Sequence, residues 1–416
     1  MRVSTNQFYL GNTTNILDRQ SEVNQSIINL SEGKRVVTAG DDVVATNSIL
    51  NIRQEQTLTA QYQSNITYAE SRLTVEEEAL KSMEDLMNRA KELTLAGNSV
   101  SYDDETRQAN ADELTEIFDA IVSLSNSRDE SGSYVFGGFQ TDTPPFEVQS
   151  DSSVLYFGDN GQRFTNIGPG LQVATSDSGN DLFMEIDNAI GDFTPTYNLN
   201  TGTDEVDRAI VRNAEISDRS TYVPVNDPDE YTINFATMAT GEMGMSVTDS
   251  LGTQVYPALP ATEAVYVSNE AISFNGISTT ISEIPQDGDS ITLSPELDVD
   301  IFSVLQDAIN WLEAPNGVGV DEASRQLDIG HIIGQMDQVQ IELSSSQATI
   351  GGRLQSTERQ NDRHLDYNIT IETSRSSLED LDMVSAISKF EQQKLSLQAA
   401  QTAFSQIQDL NLLNFI

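Results

Sequence analysis

The side chains of this 416-residue chain that could do chemistry at neutral pH are few. Its two histidines, His331 and His364, have an ordinary titration nearest neutrality, and imidazole is a common metal ligand and proton carrier. Neither has a metal-ligand companion at helical spacing. Both fall in stretches read as exposed helix, so each is expected to be an ordinary surface or seam residue. The absence of cysteine removes disulfides, thiolate metal sites and thiol nucleophiles together. Carboxylates are abundant, but no pair among them stands out for acid–base work. Asp287-Gly288-Asp289 has the oxygen chemistry of a calcium loop and lacks the alternating ligands and closing Glu of an EF-hand. Gly137-Gly138 lacks the strand-to-helix context of a phosphate cradle, and there is no Walker loop, nucleotide-binding Gly fingerprint or Gly-x-Ser-x-Gly elbow. Tyr222, Tyr231 and Tyr256 are conceivable carbohydrate contacts, although such rings suit a β core better. The reading is a chain with no catalytic, cofactor or metal site, and therefore not an enzyme.

Charge and composition narrow the partners. Lys and Arg number 22 against 65 Asp and Glu, a formal charge of -43 that repels nucleic-acid phosphates and anionic lipid headgroups. The acidity reads as solubility, in keeping with a saline habitat. The hydrophobic content of 38% suffices for packed cores, and no stretch approaches the roughly 20 apolar residues of a membrane-spanning helix. The amino terminus, from Met1 to Phe8, continues into polar residues without an apolar run of signal-peptide length.

The chain must position its few features on long helices. Tyr9, Ile16, Val23 and Leu30 repeat at heptad spacing with Ile27 on the adjoining line, and Gly33 is suited to end that helix. Asp41-Asp42 can cap a second helix running from about Val44 to Leu95 through Ile49, Ile52, Ile66, Leu73, Leu80 and Met87. A third reads from about Asp104 to Ser127, on Leu114, Ile117, Ile121 and Leu124. From Gly132 to about Pro295 the composition turns to Gly, Thr, Ser, Asp and β-branched or aromatic residues, with runs such as Tyr231–Phe235 and turns at Asn275-Gly276 and Asp287-Gly288. Helix returns at Ile301–Leu305 and again beyond the Pro315-Asn316-Gly317 loop from Asp321, with Gly351-Gly352 expected to interrupt or loosen it. A last heptad seam runs through Met383, Ile387, Phe390, Leu397, Phe404 and Ile407, with the polar Lys394 and Gln401 at seam positions.

The fold class is thus α+β: a long antiparallel helical bundle or coiled-coil stem built from both chain ends, with a β-rich central insertion. Five segments follow, namely 1–42 as an amino-terminal assembly segment paired with 377–416, 43–188 as a helical rod with a small β part, 189–300 as a β-rich domain, 301–376 as returning rod helices, and 377–416. A lone terminal pair cannot bury both of its seams. Ile16, Val23, Ile27, Leu30, Phe390, Leu397, Phe404 and Ile407 are therefore expected to be subunit contacts. In the free monomer, residues 1–30 and 390–416 are expected to exchange their amides readily.

Asn29-Leu30-Ser31-Glu32-Gly33-Lys34-Arg35-Val36 with Gly40-Asp41-Asp42 closely resembles the amino-terminal signature of bacterial flagellins. Arg353-Leu354-Gln355, Ser385-Ala386 and the ending Leu410-Asn411-Leu412-Leu413-Asn414-Phe415-Ile416 look like the flagellin carboxyl-terminal region. Within that superfamily, Tyr134–Gln140 followed by Thr141-Asp142-Thr143-Pro144-Pro145-Phe146 is similar to the hook-associated proteins of the hook–filament junction. Phe157–Arg163, Gly168-Pro169-Gly170 and Asp300–Leu305 point the same way. The resemblance spans roughly the first 190 and last 115 residues.

It implies a structural, extracellular subunit of the flagellum that joins hook to filament. The implied route is type III export without a cleavable signal, with an export chaperone on the carboxyl-terminal helix. The implied assembly is a ring at the junction, beside other hook-associated proteins and flagellin, without membrane insertion. Filament flagellin shares the terminal signatures and is the nearest alternative; an unrelated coiled-coil protein does not explain them.

Overall fold

A computed structural model describes residues 2–99, 103–200, 208–224, 229–258, 260–314 and 322–413. The helices are α1 (Arg2–Glu32), α2 (Val43–Gly97), α3 (Asp104–Ser125), α4 (Ile301–Glu313), α5 (Glu322–Glu379) and α6 (Met383–Leu413). The expected loop at 315–317 and the start of α5 at Asp321 lie outside the described residues. The chain divides into two compact units, one of residues 1–65 and 358–416 and one of residues 66–357.

In the first unit α1 and α6 run antiparallel, as Tyr9 beside Phe404 and Ser26 beside Gln393 require. The parts of α2 and α5 in this unit are also antiparallel: Gln56 Nε2 donates to Glu372 at 2.8 Å and Tyr62 stacks on His364 with ring centres 5.6 Å apart. A small apolar cluster of Val36, Ala45 and Ile49 packs with Leu378.

The second unit holds the main helical core. Leu73, Leu80, Met83 and Met87 of α2 meet Leu114, Ile117 and Ile121 of α3, Phe302, Leu305 and Leu312 of α4, and Met336, Val339 and Leu343 of α5. These are the helical-period positions of each segment, so burial here follows from spacing. α4 is held at its start by Asp300, whose carboxylate accepts the amides of Phe302 and Ser303. Its Trp311 lies between two cations, Arg107 and Arg325, with guanidinium carbons 5.0 and 4.9 Å from the ring. Arg107 also donates to Trp311 O at 2.6 Å, and the indole N–H donates to Arg325 O at 3.1 Å.

The β structure begins with two small hairpins, β1 (Phe146–Val148) with β2 (Val154–Tyr156), and β3 (Phe164–Gly168) with β4 (Leu171–Ala174). β5 (Ile186–Asp187) pairs with β15 (Asp298–Val299), closing the β-rich region at its two chain crossings. Inside lie β6 (Phe193–Asn198), β7 (Ile210–Ile216), β8 (Tyr231–Thr237), β9 (Met243–Asp249), β10 (Gln254–Tyr256), β11 (Ala264–Val265), β12 (Ala271–Phe274), β13 (Ile277–Ser282) and β14 (Ser290–Pro295). One sheet has the order β10-β9-β8-β14-β6 with β11 on β9, and the other β12-β13-β7; every pairing is antiparallel. Tyr231, Ile233 and Phe235 alternate inward along β8, as do Ile291 and Leu293 along β14, and they share one core with Ile277, Ile281 and Phe274.

α5 is continuous through Gly351-Gly352, which corrects the expected interruption: neighbouring residues hold the ladder and the glycines cost only propensity. A Cβ at either glycine would meet no atom within 4 Å. Gly352→Ala is therefore expected to stabilise the second unit by up to about 1 kcal/mol, read as a higher midpoint in thermal unfolding. Gly97→Ala should do the opposite, since its Cβ would fall 2.1 Å from Leu312 Cδ2 inside the packed core. Among the described residues, no helix is long and apolar enough to cross a membrane.

Candidate functional site

The terminal pair is the first place to look, because its stripes are wider than one partner helix can cover. Tyr9 meets Phe404 edge-on with centroids 5.7 Å apart, and Ser26 Oγ donates to Gln393 Oε1 at 2.6 Å. Of the residues the spacing singles out, Val23 is buried, whereas Ile16, Leu30, Phe390, Leu397 and Phe404 are half-buried and Ile27 is exposed. The side chain of Ile407 lies outside the described residues, as do residues 414–416 altogether. A second apolar line is open to solvent beside the seam: Leu10 and Leu17 on α1, and Val384 and Leu395 on α6. Sequence reasoning passed over it, although the seven-residue interval from Leu10 to Leu17 was a usable signal.

Between α1 and α2 the chain is clamped to the end of α5. Gly33 takes φ +68°, the left-handed conformation that ends α1. The next two backbone groups then dock: Arg35 N–H donates to Glu379 O at 2.7 Å and Leu381 N–H to Gly33 O at 3.0 Å. Asp41 Oδ2 accepts the amides of Thr38 and Val37 at 2.8 and 3.0 Å, and these hydrogen bonds hold its carboxyl below the ordinary aspartate value. Asp42 Oδ1 accepts the amide of Ala45 at 2.9 Å as the cap of α2, and Arg35 pairs with the same carboxylate at 3.3 Å.

The centre of the clamp is Glu379, which the sequence did not mark out. Its carboxylate, 2% exposed, receives Lys34 at 2.6 Å, Arg375 at 2.7 Å and Arg53 at 2.8 Å. Burial pushes its pKa up, but hydrogen bonds from Lys34 and Arg375 and the charge of Arg53 outweigh that and hold it below the ordinary value of 4.5. Glu379→Gln keeps an acceptor and removes the charge. It is expected to lower the stability of the first unit by about 2 kcal/mol, a moderate figure because the three cations are partly solvated. A depressed carboxylate stabilises above its unfolded pKa and loses that contribution as pH falls through its folded pKa, so the gap between wild type and variant should shrink as pH falls below the ordinary glutamate value and close below the folded pKa. Amide exchange in residues 33–53 would read both effects.

The junction-like signature has a packing role in the second unit. Phe146 joins a cluster of rings with Phe183, Phe302 and Tyr156, at centroid distances of 5.7, 5.4 and 5.1 Å. Asn126 brackets its backbone, with Oδ1 accepting the Phe146 amide at 3.1 Å and Nδ2 donating to its carbonyl at 2.9 Å. Pro145 is buried, Thr141 is half-buried, and Asp142, Thr143 and Pro144 are exposed. Gly137-Gly138 forms a tight turn: a Cβ on Gly138, at φ +65°, would lie 2.2 Å from Asp159 O, and one on Gly137 2.2 Å from Gln140 O.

The remaining candidates are occupied by structure. His331 and His364 are not exposed, contrary to the sequence reading, because both lie on the packed face of α5. His364 stacks on Tyr62, and burial of His331 lowers its pKa. Asp289 is taken up by Arg208 and by the amides of Gln286 and Asn200, and Asp287 Oδ1 accepts the Thr237 amide at 2.6 Å. Tyr231 is fully buried, and Tyr222 and Tyr256 are half-buried against the same β core. Among the described residues no group of three or more His, Asp or Glu is placed to hold a metal ion.

Two family models match: the bacterial flagellin N-terminal helical region over residues 3–141, and the bacterial flagellin C-terminal helical region over residues 333–416. The chain is 29% identical over 230 residues to flagellar hook-associated protein 3 of Salmonella typhimurium, covering 50% of this chain and 72% of that protein. With the protein of the same name from Escherichia coli it is 29% identical over 154 residues, covering 37% of this chain and 49% of the other. The crystal structure of flagellar hook associated protein-3 from Legionella pneumophila superposes with a TM-score of 0.67 at 29% identity, over 79% of this chain and 98% of that one. Xanthomonas campestris FlgL shares the fold, with a TM-score of 0.61 at 24% identity over 78% and 99% of the two chains.

Proposed function

The chain belongs to the bacterial flagellin family, and from that membership we propose that it is a structural subunit joining the flagellar hook to the filament. The observation that carries this reading is the incomplete cover of the apolar stripes on α1 and α6, in a chain that matches both terminal flagellin regions. Assembly supplies the missing partners: burial that the monomer cannot reach becomes available in the polymer at about 25 cal/mol per Å². Copies meet through Ile16, Val23, Ile27, Leu30, Phe390, Leu397, Phe404 and Ile407, and close into a ring between hook-associated proteins and flagellin. Before that, an export chaperone covers the α6 stripe, which would otherwise be open to solvent. The chain leaves by type III export without a cleaved signal, a route that suits a cysteine-free polypeptide with marginal terminal helices.

Filament flagellin would use the same terminal helices, so the test must separate the two. Deleting the gene should leave hooks without filaments and flagellin shed into the medium. Filaments of ordinary length on the deletion strain would refute the junction role.

A further inference from the structure

Three arginines meet inside the second unit around Thr175–Asp177. Arg72 on α2 is 1% exposed; its Nε donates to Thr175 O at 3.2 Å and its Nη1 pairs with Asp129. Arg163, just before β3, reaches Ser176 Oγ with its backbone N–H at 3.2 Å and with its Nε at 3.5 Å. Arg353 on α5 grips Asp177 with both terminal nitrogens, at 2.6 and 2.9 Å. Glu76, one turn along α2 from Arg72, is fully buried and accepts the Asp177 amide through Oε1 at 3.1 Å.

Three buried polar atoms of this cluster have no protein partner: Arg72 Nη2, Arg163 Nη2 and Glu76 Oε2. Buried guanidinium donors are rarely left this way, so the cluster asks for a guest that accepts hydrogen bonds. The charges select its sign. Burial, and then the charge of Asp177, pushes the Glu76 pKa up to about 8, so near neutrality it is a carboxylic acid. Three guanidinium groups then face two other carboxylates, Asp129 and Asp177, each already paired with one of them. Burial and the neighbouring Arg72 charge correspondingly lower the pKa of Arg163. A water molecule would satisfy the donors and leave the positive excess uncompensated.

We propose that this cluster binds one small monovalent anion, chloride, between Arg72 Nη2 and Arg163 Nη2, with the Glu76 carboxyl group as its third contact. Both guanidinium groups are already fixed by Thr175, Asp129 and Ser176, so the site is pre-organised. The ion ties α2 to the segment that leads into β3. Besides Glu76, the titratable and charged groups facing the site are Asp129, Asp177, Arg72, Arg163, Arg353 and Tyr68. The acid form of Glu76 donates to the anion and its ionised form repels it, so binding weakens as pH rises through about 8.

Crystals of the full chain soaked in sodium bromide at pH 6.5 provide the direct test. An anomalous bromide peak between the Arg72 and Arg163 guanidinium groups is expected. Ordered water there, or bromide only at other surface positions, overturns the proposal. In solution, chloride should raise the unfolding midpoint saturably above that in gluconate at equal ionic strength, and the gap should shrink at pH 9. Glu76→Gln, whose amide can donate at any pH, should keep the gap at pH 9. Coincident midpoints in the two salts at pH 6.5 would count against the site.

Discussion

Leu397→Asp or Phe404→Asp is expected to abolish incorporation of the chain into flagella while leaving the second unit folded. Both side chains are half-buried within the α1–α6 pair, so the monomer can turn a carboxylate toward water. In the proposed polymer the same position would be enclosed, where an unpaired carboxylate costs several kcal/mol or must take up a proton. Because each copy contributes that cost at every contact, incorporation should fall below detection rather than weaken modestly. Electron microscopy of hooks from a complemented deletion strain reads the outcome, with circular dichroism of the purified monomer as the control for folding. Junctions of normal appearance would remove these two residues from the proposed contact.

The second large effect concerns the β-rich region. Arg208 and Asp289 have side chains 0% and 1% exposed, and Arg208 Nη1 donates to both carboxylate oxygens, at 2.8 and 2.9 Å. Arg208→Ala leaves the Asp289 carboxylate buried with only the Gln286 and Asn200 amides for support. Removing one partner of such a pair destabilises by about 3–5 kcal/mol, enough to unfold this sandwich at moderate temperature. Arg208→Met with Asp289→Leu should recover most of the loss, because the apolar pair leaves no charge behind. Amide exchange along β8 and β14 distinguishes the variants, and equal protection in wild type and Arg208→Ala would contradict the expectation.

The helical part was legible because its period is. Gly33, Asp42, Gly97 and Asp104 mark helix boundaries to within a residue or two, since caps and terminators act locally. The alternation at Tyr231–Phe235 likewise announced a strand with one buried face. What stayed hidden depends on contacts between residues far apart in sequence. Glu379 gave no local sign that Lys34 and Arg53 would meet it. The pairing of Arg208 with Asp289 turned a suspected calcium turn into half of an internal ion pair. The histidines were misjudged because a polar stretch of α5 was taken as solvated along its whole circumference. The motif from Tyr134 to Phe146 is legible by resemblance, but its reason is a ring cluster bracketed by Asn126, whose members come from distant segments.

Trp311 is the sole tryptophan of the chain, and it is held between two guanidinium groups. Its emission therefore reports on one locus, the contact of α4 with α3 and the start of α5. Melting of the terminal helices should pass without a fluorescence signal, while loosening of α4 should register at once. Optical spectroscopy on the unlabelled polypeptide can thus follow one compact unit against a silent background from the other.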